Sequence, residues 1–200
     1  MNPRQLIIAT IVLFTAAFGM GIYALHMRKQ ANVGLPAELS GRVAPPAMGA
    51  TEQITLYVAD DASGTVNPQT AVIPLPEDRQ QRAQEIVRAL LTIYLGKNST
   101  HLLGAGSDVR DVYLVNPGTA VLDMNSAFAD GHRSGILIEN LTIASLVKTV
   151  SENIPGILRV EILINGKERD SLAGHADLSN FYDVSAVNQM IAQMQTAKLQ

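Results

Sequence analysis

Residues 155–178 read PGILRVEILINGKERDSLAGHADL, and the architecture follows from how this stretch begins and ends. Pro155-Gly156 stops the helix before it, because proline has no N–H to donate and its ring clashes with the preceding turn. Leu158 to Ile164 then alternates, with Val160, Ile162 and Ile164 on one side and Arg159 and Glu161 on the other, the period of a half-buried strand. Asn165-Gly166 is a tight-turn pair, and Ser171-Leu-Ala173 is expected to return as a short strand.

Upstream, the segment from Gly135 or Ile136 to Asn153 spaces Leu141, Ala144, Leu146, Val147, Val150 and Ile154 as a helix, with Ser134 as its expected N-cap. Val109 to Val115 and Thr119 to Met124 flank Asn116-Pro117-Gly118 and predict an antiparallel hairpin. Glu77 to Leu95 places Ala83, Ile86, Val87, Leu90, Leu91, Tyr94 and Leu95 at helical spacing, with Glu77 and Asp78 in the first turn and Gly96 just past the end. Ile54 to Val58 and Thr70 to Pro74, the latter bounded by Asn67-Pro68, predict a first hairpin. Ser185 to Leu199 spaces Val187, Met190, Ile191 and Met194 for a last amphipathic helix. Two helices with one apolar stripe each need one sheet face to bury them. The expected architecture is therefore a two-layer α+β sandwich, a small mixed sheet with helices packed on one face.

The amino-terminal end is different in kind. Leu6 to Leu25 (LIIATIVLFTAAFGMGIYAL) is a charge-free run of 20 residues, and at about 1.5 Å per helical residue it spans a bilayer core of about 30 Å. It is too long for the apolar region of a signal peptide, and Ile22-Tyr23-Ala24 is a poor cleavage signal. Residues 1–29 are thus expected to be a membrane anchor. Residues 30–51, rich in proline, glycine and alanine, read as a flexible linker holding the body about 25 Å away at coil dimensions. Residues 52–200 form the globular domain.

Three of the 15 basic residues lie at or before Lys29, while all 18 acids lie beyond it, so the rest of the chain carries a net charge of −6. An acidic body is a poor match for phosphate, which argues against nucleic acid and anionic headgroups as partners. The absence of cysteine removes disulfides, thiolate metal sites, lipid acylation and cysteine nucleophiles together.

Candidate chemistry is sparse. His132, His175 and Asp177 form a metal set only if two loops meet, and Asp123, Asp130 and His132 form a hydrolytic set only if they converge in a cleft. Gly131 to Gly135 lacks the spacing of a serine elbow. Gly104 and Gly106 make a GxG without a following helix, a weak phosphate signal. Asn98 and Asn140 open glycosylation sequons, the second inside the predicted helix. No catalytic, cofactor-binding or metal site is assigned.

From Val112 to Leu178 the chain resembles the GerMN domain, named from bacterial sporulation and spore germination proteins. The resemblance rests on YLVNPGTAVLDMNSAFADG (Tyr113 to Gly131), LTIASLVKTV (Leu141 to Val150), and the strand ending in Ile164-Asn-Gly166 followed by Leu172-Ala-Gly-His-Ala-Asp-Leu178. It implies a fold similar to the ring-building motifs of bacterial secretion and sporulation assemblies, on the extracytoplasmic side of the cytoplasmic membrane, with a cytoplasmic N-terminus. It implies no catalytic residue. Gly166, Leu172, Gly174, His175, Asp177 and Leu178 are the residues of the motif, with His175 and Asp177 expected to lock the final strand by hydrogen bonds. The chain departs from the family where Ser179 to Asp183 and a further helix follow Leu178, and it carries one domain copy. The expected function is a membrane-tethered, non-catalytic interaction or assembly module of the cell envelope, linked to sporulation-like or cell-wall processes. The alternative expectation is a peptidoglycan-binding module with its groove near His175 and Asp177.

Overall fold

The computed structural model describes residues 50–76, 78–115 and 117–197; the anchor expected over Leu6 to Leu25 and most of the linker lie outside them. No helix among the described residues is long and apolar enough to cross a membrane.

The elements run β1 (Thr51–Asp60), β2 (Thr65–Pro74), α1 (Arg79–Tyr94), β3 (Val109–Val115), β4 (Thr119–Met124), α2 (Ser126–Asp130), α3 (Ile136–Asn153), β5 (Arg159–Ile164), β6 (Tyr182–Asp183) and α4 (Val184–Ala197). The fold is mixed α+β, as the periodicities imply. The single sheet is the part that needs correction, because there are two: a β1-β2 ribbon and a four-stranded sheet ordered β3-β4-β5-β6. In the larger sheet β4 and β5 are parallel and the other pairs antiparallel.

The reason for two sheets lies on the free edge of β1. Thr55, Tyr57 and Ala59 turn their backbone groups away from β2, and side chains meet them. Asn153 accepts the Thr55 N–H at 3.2 Å and donates to the Thr55 carbonyl at 2.7 Å. Thr149 accepts the Tyr57 N–H at 2.9 Å, and Ser145 donates to the Tyr57 carbonyl. Tyr94 accepts the Ala59 N–H, and Thr100 donates to the Ala59 carbonyl, both at 2.9 Å. Ser145, Thr149 and Asn153 follow one another at intervals of four residues, hence on one face of α3. The helix thus supplies a polar seam that satisfies an edge another strand would otherwise take.

The same geometry explains a strand longer than its sequence signal. Asn67-Pro68 reads as a boundary, yet β2 runs through it and pairs Pro68 with Tyr57. Tyr57 directs its backbone groups to α3, so the pair exchanges no ladder bonds and the N–H that proline lacks faces the open edge, where it costs nothing.

Helix α1 begins at Asp78, whose carboxylate accepts the Gln81 N–H at 2.8 Å. Asp78 is therefore the cap and not a first-turn residue. Arg82 grips Glu52 with two 2.6 Å bonds and donates a third, also 2.6 Å, to the Asn153 carbonyl, joining β1, α1 and the end of α3. Helix α3 is the centre of the core. Leu141, Ile143, Ala144, Leu146, Val147 and Val150 are fully buried, and so are Thr142, Ser145 and Thr149. Helix α4 docks through Val187 and Ile191, with Met190 and Met194 partly buried beside them.

At the other end of the domain the expected return strand at Ser171 to Ala173 does not form. One isolated bridge joins Ser171 to Asp177, and the segment closes on itself as a loop in which the Leu172 N–H donates to the Ala176 carbonyl. The sheet is completed by β6, where Tyr182 pairs with Val160 and Asp183 with Arg159. The turn before the loop fits its sequence. Asn165 and Gly166 both have positive φ, 52° and 72°, and Ile164 pairs with Lys167 across them, the dihedral pattern of a type I′ hairpin turn.

The seam gives a direct test. Thr149→Val keeps the shape but leaves the Tyr57 N–H buried without an acceptor, and it should lower unfolding free energy by about 1–3 kcal/mol. Thr196→Val on the exposed face of α4 should change it by less than about 0.5 kcal/mol, as read from denaturant midpoints of the two variants.

Candidate functional site

Four connecting segments gather at the N-terminal end of α3: the β1-β2 turn, the loop after α1, the segment from Gly131 to Gly135, and the loop from Asp170 to Leu178. Two polar centres tie them together.

The first is Glu139, a fully buried carboxylate in the first turn of α3. Its Oε2 accepts the backbone N–H groups of Ala173 at 3.0 Å and of His175 and Ala176 at 2.9 Å. Its Oε1 accepts the Gly135 N–H at 3.0 Å and the His175 Nδ1–H at 2.9 Å. Burial pushes this carboxyl up, but the backbone N–H groups of Gly135, Ala176 and His175 and the His175 imidazole outweigh it and hold it down at about 2. Ser134 is therefore not the helix cap. Gly135 occupies the N-cap position and Glu139 itself reaches back to take its N–H.

The motif residues are placed around that carboxylate. Leu172, Ala176 and Leu178 are buried and point the loop inward. Gly174, with a φ of 116°, makes the bend that lets the flanking N–H groups converge. His175 rests its ring on Glu139 and is 41% exposed at its side chain. Asp177 makes an outward-facing local turn, accepting the Ser179 hydroxyl at 2.6 Å, the Ser179 N–H at 2.8 Å and the Asn180 amide at 2.9 Å, and the Ser179 hydroxyl leads the contacts that lower its carboxyl. His175 and Asp177 thus hold different things, a carboxylate and a turn.

The second centre is a buried chain of side chains. His101 Nδ1 lies 2.5 Å from Asp61 Oδ1, and His101 Nε2 lies 2.7 Å from Thr142 Oγ1. His132 Nε2 reaches the same hydroxyl at 2.7 Å, and His132 Nδ1 donates to the Arg133 carbonyl at 2.7 Å. Arg133 in turn donates to Asp61 Oδ2 at 2.8 Å. Burial lowers the His132 pKa, against the pull of the Arg133 carbonyl.

Both centres contain an acid, a histidine and a hydroxyl, the parts of a nucleophilic triad. Neither works as one. In the Asp61-His101-Thr142 chain the nitrogens are used in the right order, but Thr142 is fully buried and its hydroxyl is shared with a second histidine. In the Glu139-His175-Ser134 group the serine is exposed, but Ser134 Oγ approaches the same Nδ1 that already donates to Glu139, at 3.3 Å. That nitrogen has no lone pair left to take a proton.

The sets named from sequence do not assemble. Asp123 accepts the Gly166 N–H at 2.6 Å and pairs with Arg110 at 3.1 Å, Asp130 pairs with Arg169 at 2.7 Å, and His132 belongs to the buried chain. The three have three separate sets of partners. His132, His175 and Asp177 are likewise engaged apart, and no group of three His, Asp or Glu side chains among the described residues is arranged to hold a metal. Gly104 lines no phosphate cradle: a Cβ there would lie 2.7 Å from the Gly131 Cα, so the two glycines let backbones touch beside the histidines. Thr142 of the second sequon is buried in the chain.

These elements define a small α+β domain organised on one central helix. Residues 55–170 match the family described as Germane: Sporulation and spore germination. That is more than half of the chain, and the protein belongs to this family. The match takes in most of the first hairpin and α1, which lie before the resemblance over Val112 to Leu178, and ends before the loop that carries Leu172 to Leu178. Among solved structures, the tandem GerMN domains of the sporulation protein GerM from Bacillus subtilis are similar at 23% identity and a TM-score of 0.51, covering 67% of this chain and 46% of that one. A putative lipoprotein from Clostridium perfringens is similar at 17% identity and a TM-score of 0.45, covering 70% of this chain and 92% of that one. The first GerMN domain of GerM gives 20% and 0.43, covering 64% and 92%. At 23% identity the likeness to the tandem domains is one of fold, and the chain spans less than half the length of that structure. No curated protein matches the chain.

Glu139 makes the site testable by pH. Its carboxyl falls from 4.5 to about 2 on folding, so the charge contributes stability that is complete above about pH 4.5 and is lost as pH falls toward 2, a contribution on the order of 3 kcal/mol. Glu139→Gln turns an amide donor toward backbone donors and should cost about 3 kcal/mol at pH 7, while flattening the acid limb of the stability profile. A variant with an unchanged acid limb would show that Glu139 does not hold the loop.

Proposed function

We propose that the protein is a membrane-tethered GerMN module that works by binding protein at the bacterial cell envelope and catalyses nothing. In this reading Leu6 to Leu25 crosses the cytoplasmic membrane with the N-terminus inside, residues 30–51 tether the domain, and the domain acts on the extracytoplasmic side against an envelope protein or a second copy of itself. The supporting observation is one end of the four-stranded sheet. There Tyr113 is 43%, Val115 50%, Leu158 67% and Phe181 48% exposed. Strand pairing puts Val115, Thr119 and Arg159 in one row, with Tyr113 two residues along the same face, and the Arg159 guanidinium lies 4.6 Å from the Phe181 ring centroid. Large apolar side chains exposed together at one end of a sheet, beside a cation, are what a protein partner buries. The inaccessible or miswired hydroxyls described above support the non-catalytic half of the proposal.

The experiment is site-specific photocrosslinking in living cells, with the probe placed in turn at Tyr113, Val115 and Leu158 of the full chain and at exposed Thr92 on α1 as control. Discrete protein adducts at the three sheet positions and none at Thr92 are expected. Adducts absent from all four, or equal at all four, would overturn the assignment of this surface.

A further inference from the structure

The buried histidine chain does not balance when its protons are counted. It contains four hydrogen bonds in series: Asp61 to His101 Nδ1, His101 Nε2 to Thr142 Oγ1, Thr142 Oγ1 to His132 Nε2, and His132 Nδ1 to the Arg133 carbonyl. Each needs one proton. A neutral His101, a neutral His132 and the Thr142 hydroxyl supply one apiece, three in all.

The ends of the chain fix where the shortage falls. The Arg133 carbonyl only accepts, so the His132 proton sits on Nδ1 and its Nε2 presents a lone pair. Asp61 accepts from Arg133 through its other oxygen, at 2.8 Å, so it acts as an acceptor here and the first His101 proton sits on Nδ1. Two imidazole lone pairs then face one hydroxyl, which has one proton and a third acceptor, the Ile138 carbonyl, at 3.1 Å.

We infer that the folded chain holds one proton more than its neutral side chains supply, carried on His101, which sits as a fully buried imidazolium between Asp61 and Thr142. His101 then donates from both nitrogens, Thr142 donates to His132, and every bond in the series has its proton. The surroundings favour this site over His132. Asp61 is the carboxylate in direct contact, and Arg133 leaves the charge there because it uses the far oxygen. Tyr94 turns its ring toward His101 with centroids 4.8 Å apart, whereas Phe128 meets His132 with centroids 6.2 Å apart. Glu139, the acid nearest on α3, is engaged with the loop from Ala173 to Ala176. The lowered affinity of His132 for a proton, caused first by burial, agrees with a neutral ring there.

The consequence is a clamp closed by a single proton. It joins the β1-β2 turn, the loop after α1, the segment before α3 and α3 itself. Without that proton two lone pairs face each other at 2.7 Å, and the bond that ties His101 to α3 is lost.

The test is the nitrogen spectrum of the full chain in detergent, labelled with 15N at its four histidines and assigned by His101→Gln. At pH 7 both His101 ring nitrogens are expected in the narrow imidazolium range with their protons slow to exchange, and His132 in the widely split pattern of a neutral Nδ1–H ring. A neutral His101 overturns the inference. His132→Gln presents an amide donor to Thr142 and removes the shortage, so His101 should become neutral at the same pH; a His101 still charged in that variant overturns the proton count as the cause. Should the variant not fold, the wild-type spectrum alone decides.

Discussion

The structure depends on one unusual pairing, a helix that serves as the neighbour of a strand. Backbone groups on the free edge of β1 are half-buried or buried and require partners. Helix α3 provides them through Asn153, Thr149 and Ser145. Tyr94 completes the row by passing its own proton to Ser145, whose proton is already committed to the Tyr57 carbonyl. Burial raises the Tyr94 phenol to about 12, so the donor stays protonated over the whole physiological range. Once α3 holds that edge, β1 cannot be extended, and the remaining strands must make a sheet of their own.

The seam runs on past the ribbon. Thr142, one turn before Ser145 on the same side of α3, gathers His101 and His132, and Glu139, three residues earlier, gathers the loop after β5. One stripe of a single helix therefore sets the position of β1, of the loop after α1 and of the loop that closes the domain. The stripe is polar and buried, so each member is satisfied or costly. No buried side-chain nitrogen or oxygen among the described residues is left without a partner, which is the condition under which such a network specifies one arrangement instead of weakening the core.

That stripe also marks the limit of what was legible in the amino-acid order. Helices α1, α3 and α4, both hairpins, the turn at Asn165-Gly166 and the β5 strand followed from periodicity and turn chemistry, since these are local signals. Thr142, Ser145 and Thr149 carry no such signal. On a helix with Leu141, Leu146 and Val150 they read as the wet side, and only the tertiary partner shows that α3 is buried on both sides. Assigning one stripe to each helix led directly to the expectation of one sheet. Strand β6, two residues long, and α2, five residues long, are too short for a period to show. Of the motif residues, Leu172, Gly174 and Leu178 were visible as a pattern, but the residue they surround was not. Glu139 lies more than thirty residues upstream of the loop, and its one local signal, an acid in the first turn of a helix, has the ordinary reading of a dipole partner.

The same network bears on why neither group of acid, histidine and hydroxyl at the start of α3 is wired as a nucleophilic triad. Catalysis asks such groups to be poised, with a base holding a free lone pair beside a hydroxyl that substrate can reach. Here the acids are spent largely on joining segments distant in sequence: Asp61 to His101 across 40 residues, and Glu139 to Ala173 across 34. Spending them this way fixes loops at the start of α3, while Tyr113, Val115, Leu158 and Phe181 stay exposed at the end of the sheet. Polar closure at the start of α3 and apolar exposure at the end of the sheet thus divide the domain's surface between them, the helix consuming polar groups that the sheet does not carry.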